Sequence, residues 1–307
     1  MDQIDVFHPG EQAMQSRAGV RERMAAQGWQ VIRDAMPAQH RAFFPLLPYL
    51  PVAVRDADGW PVGTMLTGDP GFVSSPDPRH LRVDALPDQT DPASTGFAAG
   101  AQAGILGIDL STRRRNRVNG RIVARDPAGF TVAVAQSFGN CPQYIQRRAP
   151  LDSVRLRGEV QHLSAIDAAT QDLVRRSDTF FVASGAGEAG LDMSHRGGRA
   201  GFVLVSGDVL TVPDFPGNRY FNTLGNFQTD PRAGLLFVDF DSGDLLQLNG
   251  HVDVEWGGAP VEAFPGARGL WRVHVTRGWR IPNGVALRWS FRDATPGLDR
   301  MGPWLAA

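Results

Sequence analysis

The sequence has 307 residues and a formal net charge of −1, with 42% hydrophobic against 21% charged residues, the balance of a chain that buries a sizeable core. All 31 basic residues are arginine, which excludes a P-loop lysine and a lysine Schiff base, and one cysteine excludes a disulfide framework or a cysteine-rich zinc site. The near-zero charge argues against a general polyanion binder, so no nucleic-acid partner is expected, and the histidines show no H-x-x-x-H spacing that would announce a metal.

The N-terminal residues MDQIDVFHPGEQ lack the basic start and apolar stretch of a signal peptide. The most apolar run, 43–54, is cut by Pro45, Pro48 and Pro51 and cannot span a bilayer as a helix. A cytoplasmic protein with no membrane partner is the expectation. Residues 11–35 are rich in helix formers and predict a helix broken at Gly28. After them the chain turns to short apolar runs punctuated by Gly, Pro and Asp, the texture of a mainly antiparallel β protein with helical additions. Strands are expected at 129–138, 153–163, 180–184, 201–208, 234–240 and 245–254, with a second helix over 164–176 and a shorter one over 219–226.

An internal repeat organises the chain. A shift of 130 residues lays 51–73 on 181–203 and 103–120 on 233–250, with 12 identities in 41 positions, where composition alone gives roughly three. Apolar character is kept at the pairs Ile105/Leu235, Ile108/Val238, Leu110/Phe240 and Val118/Leu248, where a strand needs an inward face. The reading is two copies of one β unit: a helical segment at 1–45, a first copy within 46–162 and a second within 163–307.

Four stretches bear on chemistry. Gly185 to Gly190 matches G-x-G-x-x-G, but the residues after it have no helical period, so it reads as a hairpin turn. Ser194-His195-Arg196, followed by two glycines, offers hydroxyl, imidazole and guanidinium donors suited to an anion such as phosphate; the first copy has Thr64-Met65-Leu66 there, so the fold does not require the polar set. Pro213 to Asn222 predicts a helix start at Gly217-Asn218 whose free N–H groups, with Arg219, favour an anion. In the run 113–117, strand alternation sends Arg113, Arg115 and Arg117 to one face and Arg114 to the other, either as a solvated hairpin or as a phosphate contact across a groove between the copies. Cys141 has no nucleophile signature around it and reads as a small hydrophobe.

The run from Phe180 to Val254 resembles the FMN-binding split barrel of pyridoxamine 5'-phosphate oxidase-like proteins. FHPGEQAMQSRAGV, GNCPQYIQRR, SHRGG and PDFPGNR resemble, more narrowly, the bacterial subgroup described as predicted flavin-nucleotide-binding proteins. The resemblance implies a tandem, duplicated split barrel holding non-covalent FMN between the copies and acting as an oxidoreductase, with NAD(P)H or a small molecule as redox partner. It implies that Ser194, His195 and Arg196 line the flavin, that Arg219 holds the phosphate with Asn218 and Asn222 beside it, and that Val212 and Pro213 supply backbone near the ring. Gln247, and Arg113, Arg115 and Arg117 in the other copy, would reach the flavin from across the interface, and His195 is the acid–base candidate. Only the second copy keeps the polar set, so one FMN per chain is expected; members of the family are typically homodimers, and this chain could form that interface internally or dimerise again. The C-terminal residues show no counterpart of the Arg-x-His substrate motif, so vitamin B6 oxidation is not expected. The alternatives are a non-catalytic flavin carrier or sensor and a split barrel binding haem or a deazaflavin.

Overall fold

The computed structural model describes residues 5–152 and 156–304. Two helices, α1 (Pro9–Arg17) and α2 (Arg21–Val31), stand where one broken helix is expected. The break falls at Gly19, whose φ of +66° suits glycine, while Gly28 lies inside α2. Helix α3 (Ala38–Phe43) leads into the first sheet.

That sheet holds β1 (Tyr49–Arg55), β2 (Pro61–Thr67), β3 (Val73–Asp77), β4 (His80–Val83), β5 (Gln102–Asp109), β6 (Arg114–Asp126) and β7 (Gly129–Gly139). Two short strands follow, β8 (Arg147–Asp152) and β9 (Gln161–Leu163). Of the strand expected over 153–163 only β9 is found, and residues 153–155 lie outside the described ones. Helix α4 (Ala168–Arg176) begins later than expected because Asp167 caps it, accepting from the Thr170 N–H. The second sheet holds β10 (Thr179–Gly185), β11 (Leu191–Gly197), β12 (Leu204–Ser206) and β13 (Val209–Asp214). Helix α5 (Asn222–Thr229), β14 (Arg232–Val238), β15 (Leu245–Glu255), α6 (Ala259–Glu262) and β16 (Gly269–Ile281) complete it, and β17 (Leu287–Asp293) pairs with β8. The G-x-G-x-x-G stretch is the turn between β10 and β11, as its neighbours predict.

The two sheets have one topology. Their strand orders are β2-β1-β5-β6-β7-β4-β3 and β11-β10-β14-β15-β16-β13-β12, antiparallel throughout. Even the irregularities repeat: the ladder slips between Asn119 and Gly120 in the first copy and between Asn249 and Gly250 in the second. One difference stands out. A tight turn, Pro127-Ala128, joins β6 to β7, whereas residues 256–268, including α6, join β15 to β16.

Each sheet encloses its own core, which is what makes it a barrel. All seven strands of the first send side chains into a single cluster, among them Val52, Val62, Val73, Leu81, Ile105, Val118 and Val132. The end strands β2 and β3 do not pair with each other, so the barrel is split. The second copy builds the matching cluster around Phe180, Leu210, Phe237 and Trp271, but β11 sends nothing into it.

A third cluster joins the copies. Alternation turns Val52 and Val54 inward and Ala53 outward, and likewise Phe180 and Val182 inward and Phe181 and Ala183 outward. The outward set meets Leu106, Ile108, Met193, Leu236 and Val238. The seam has the symmetry of the repeat: a Cβ on Gly104 would stand 2.7 Å from the Leu191 carbonyl oxygen, and one on Gly234 would stand 2.3 Å from that of Pro61. Both glycines let backbones approach where any side chain would wedge the copies apart. Among the described residues no helix is long and apolar enough to cross a membrane.

Candidate functional site

The inward face of β2 is Val62, Thr64 and Leu66; at the same places β11 carries Asp192, Ser194 and Arg196. A stave of the second barrel has therefore become polar, and polar groups taken from water need partners. They come from the first copy. Arg117 donates through Nη2 to Ser194 Oγ at 2.7 Å and through Nη1 to Asp192 Oδ1 at 3.2 Å, and Asn119 Nδ2 donates to Asp192 Oδ1 at 2.8 Å. From α5, Thr223 Oγ1 donates to Ser194 Oγ at 2.8 Å and Asn226 Nδ2 to Asp192 Oδ2 at 2.8 Å. Ser194 thus accepts twice, leaving its own proton for a third partner.

Above this floor lies a cleft open to solvent, with about 120 Å³ of free space. It brings together Arg115, Arg117, Ser194, His195, Arg196, Pro213, Asn218, Arg219 and Asn222, nine of the expected residues. Three stand elsewhere. Val212 is fully buried in the barrel core, behind Pro213. Arg113, at φ +57°, turns off the strand face before β6 begins; it donates to the Ile145 and Ala294 carbonyls and pairs with Asp293. Gln247 occupies the seat symmetric to Arg117 at the other side of the seam, donating to the Gly63 carbonyl at 2.9 Å and to Asp91 Oδ1 at 3.1 Å.

The expected helix over 219–226 begins at Asn222 instead, because Arg219 (φ +65°) and Phe221 (φ +63°) are left-handed and cannot sit within it. Asn218 shapes the turn by accepting from the Tyr220 N–H at 3.1 Å. Tyr144, at φ +67°, also lines the cleft, so three of the five left-handed non-glycine residues among the described ones surround it. Such conformations cost on the order of 1–3 kcal/mol each and persist where the surroundings impose them.

The cleft is cationic. Arg115, Arg117, Arg196, Arg219 and Arg268 line it against one carboxylate, Asp214. Arg196 Nη1 donates to Asp214 Oδ1 at 2.9 Å, and burial pushes that carboxyl above its ordinary range. Arg115 has no carboxylate: Nε donates to the Cys141 carbonyl at 2.9 Å and Nη1 to His195 Nδ1 at 3.1 Å. Burial, then the neighbouring Arg117, pulls its guanidinium down to about 9, the mark of a buried cation lacking an anion. Since a guanidinium only donates, His195 Nδ1 accepts and its proton sits on Nε2. Burial and the arginines hold that imidazole neutral, well below its usual range. His195 Nε2, Arg117 Nε, Arg196 Nε and Asn140 Oδ1 are buried without any hydrogen-bond partner. Three of these four are donors, so the site is made for an acceptor-rich, anionic ligand.

Sequence reasoning missed Tyr144, Phe215, Thr223, Trp256 and Arg268. Tyr144 stacks beside Phe215 (5.2 Å, 31°) with its hydroxyl on the Pro216 carbonyl, and Trp256 leans on Phe221 at 5.7 Å, giving the mouth aromatic walls. Trp256 and Arg268 frame the longer β15–β16 connection, a signal that measuring the repeat through to its last strand exposes. Cys141 is half-buried on the cleft wall rather than in a core.

No protein-family model matches the sequence, and no curated protein does. Among solved structures, the chain is similar to HupZ of Group A Streptococcus, at 13% identity and a TM-score of 0.30 over 43% of this chain and 99% of that one. It is similar to a protein from Clostridium acetobutylicum of the pyridoxinephosphate oxidase family, related to general stress protein 26, at 12% identity and a TM-score of 0.28 over 40% and 92%. A FAD-binding protein from Mesorhizobium loti aligns at 12% identity and a TM-score of 0.28 over 40% and 97%. At these scores the reading of the site rests on the geometry of the chain itself.

Proposed function

We propose that the chain is a flavin-nucleotide-binding protein of the pyridoxamine 5'-phosphate oxidase-like split-barrel class, holding one FMN non-covalently in this cleft for redox chemistry. One observation carries the reading: five arginines line a space walled by one carboxylate, Asp214, floored by a second, Asp192, and rimmed by aromatic rings, with buried donors left unpaired. The set fits FMN in kind. Arg219, Arg268 and the turn at Gly217-Asn218 suit a phosphate, the Ser194 hydroxyl and His195 Nε2–H suit carbonyl or hydroxyl oxygens, and Tyr144, Phe221 and Trp256 suit a planar ring at the open mouth.

A bound flavin would supply hydride or electron transfer, while the protein binds, orients and sets the local charge. Arg115 and Arg117 reach over from the first copy, so the cleft is complete only when both copies are in place. Their charge favours whichever form of the ligand is more negative. His195 does not serve as a base here, because its Nδ1 lone pair is engaged by Arg115 and its environment resists a second proton. That same feature favours, as a second reading, a carrier that holds flavin without turning it over.

The visible absorption spectrum of the purified protein, with the mass of whatever heat releases, tests the proposal. Flavin bands and the FMN mass are expected. A Soret band, a deazaflavin mass or a colourless protein that FMN does not bind would overturn it. Bleaching of the bound flavin by NAD(P)H separates the oxidoreductase from the carrier.

A further inference from the structure

Helix α1 lies outside both barrels, yet two of its polar side chains are almost fully buried, Glu11 at 3% exposure and Gln15 at 0%. Both point at the strained turn that carries Arg219. Gln15 Nε2 donates to the Tyr220 carbonyl at 3.1 Å, and its Oε1 is held in place by Arg21 Nη1 at 2.8 Å. Glu11 Oε1 accepts from Asn222 Nδ2, and Oε2 accepts from the His8 N–H at 2.9 Å. His8, the cap of α1, meets Asn226 Oδ1 through Nε2 at 2.9 Å, so one helix and its cap grip α5 at Asn222 and Asn226 and the turn before it at Tyr220. The backbones touch: a Cβ on Gly10 would stand 2.1 Å from the Gly225 carbonyl oxygen, and one on Gly225 would stand 2.6 Å from Glu11 N.

We propose that Glu11 and Gln15 are positioning residues of the cleft: α1 fastens the left-handed Arg219–Phe221 turn at Tyr220 within it and at Asn222 directly after it, and thereby presents Arg219 to an anionic ligand. The inference rests on the reading of the cleft as an anion site, but the clamp itself is independent of which anion binds. Left-handed residues need their neighbours to hold them there, and the bonds to the Tyr220 carbonyl and to the Asn222 side chain do so, flanking Phe221 and following directly on Arg219.

The clamp is also linked to protons. The titratable or charged groups facing Glu11 are Asp192 from β11, Arg117 from β6 and His8 from its own cap. Burial, then repulsion from Asp192, pushes the Glu11 carboxyl up to about 8, while Arg117 opposes the rise. An anion bound in front of Arg117 takes up that opposing charge, so the loaded site holds the Glu11 proton more firmly than the empty one. Anion affinity then falls as pH climbs through and above about 8.

The full chain is digested lightly with trypsin, without ligand, and cleavage after Arg219 is timed against cleavage after Arg268 in wild type, Glu11→Ala, Glu11→Gln and Gln15→Ala. Glu11→Ala and Gln15→Ala should speed the cut after Arg219 by about tenfold with the Arg268 rate unchanged. Glu11→Gln, which keeps an acceptor for Asn222, should stay near wild type. Unchanged cleavage at Arg219, or a common rise at every arginine, overturns the clamp. FMN and, separately, inorganic phosphate are then titrated between pH 7.5 and 9.5. Wild type should lose about tenfold in FMN affinity, one pK unit of linkage, and Glu11→Gln should show no such loss. A wild-type slope in Glu11→Gln overturns the proton linkage. A clamp that behaves as expected in a chain binding neither FMN nor phosphate overturns the anion reading of the cleft and leaves the clamp standing.

Discussion

Arg117, on the longest strand of the first copy, donates through Nη2 to the Ser194 hydroxyl of the second copy at 2.7 Å, across the seam between the barrels. Its repeat partner Gln247 makes the symmetric reach to the Gly63 carbonyl. Arg117→Gln therefore makes the working cleft like the degenerate one. FMN affinity should fall about tenfold to a hundredfold, the loss of one charge-assisted contact. Stability should fall by about 3 kcal/mol, because Asp192 loses its cation while remaining buried. Fluorescence titration and urea unfolding measure the two; unchanged affinity would remove Arg117 from the site.

Arg219 combines strain with the proposed anion-holding role. Glycine adopts φ +65° without the strain that arginine bears there, so Arg219→Gly should melt no lower than wild type and gain up to about 1 kcal/mol. The same variant should bind FMN at least about tenfold more weakly. A variant that loses stability and keeps its flavin would contradict both halves of the argument.

In the first copy the seat equivalent to the cleft floor is closed by Asp91. This residue is 2% exposed and accepts from Thr64 Oγ1 at 2.8 Å, the Ala93 N–H at 2.9 Å and Gln247 Nε2 at 3.1 Å. Asp91→Ala strands those donors and should cost about 3 kcal/mol without changing flavin content. Absorbance against protein concentration should give one FMN per chain; two per chain would show that the first copy also binds.

Glu11 predicts a pH signature in the ligand-free protein. Its native value of about 8 stands above the ordinary 4.5, so between these the folded state holds a proton that the unfolded state has released. Stability from this group is therefore greatest at low pH and declines as pH rises from about 4.5 to about 8, by up to about 1.4 kcal/mol per pH unit. Above that window the decline ends. The advantage of Glu11→Gln over wild type in urea unfolding should grow from pH 5 to pH 8 and then level off; a constant difference would show that Glu11 is ionised throughout.

The repeat was legible because strand pairing is punished for slips: a one-residue shift turns every side chain to the wrong face, so Asn119-Gly120 and Asn249-Gly250 stay 130 residues apart where the ladders bulge. The polar stave of β11 was legible for the same reason, as a contrast with Thr64 to Leu66. Conformation at single residues was not. Nothing in the letters at 219–221 announces two left-handed residues, since helix α1 imposes them from 200 positions away in the chain. Gln247 and Arg113 look equivalent to Arg117 on a linear reading; only the pseudo-twofold arrangement sends one to the opposite side of the seam and only a turn residue's φ sends the other away. Tyr144, Trp256 and Arg268 belong to connections, whose course follows from the barrels they join and not from any period of their own.

The seam between Gly104 and Gly234 has a further consequence. In an assembly of two identical subunits, any substitution that improves the wall reaching across must also be borne by the wall that receives. Here the two walls are encoded separately, so residues 114–119 answer to one cleft alone. With both walls in one chain, neither half has to match its own copy, which leaves one half free for holding and the other for being held.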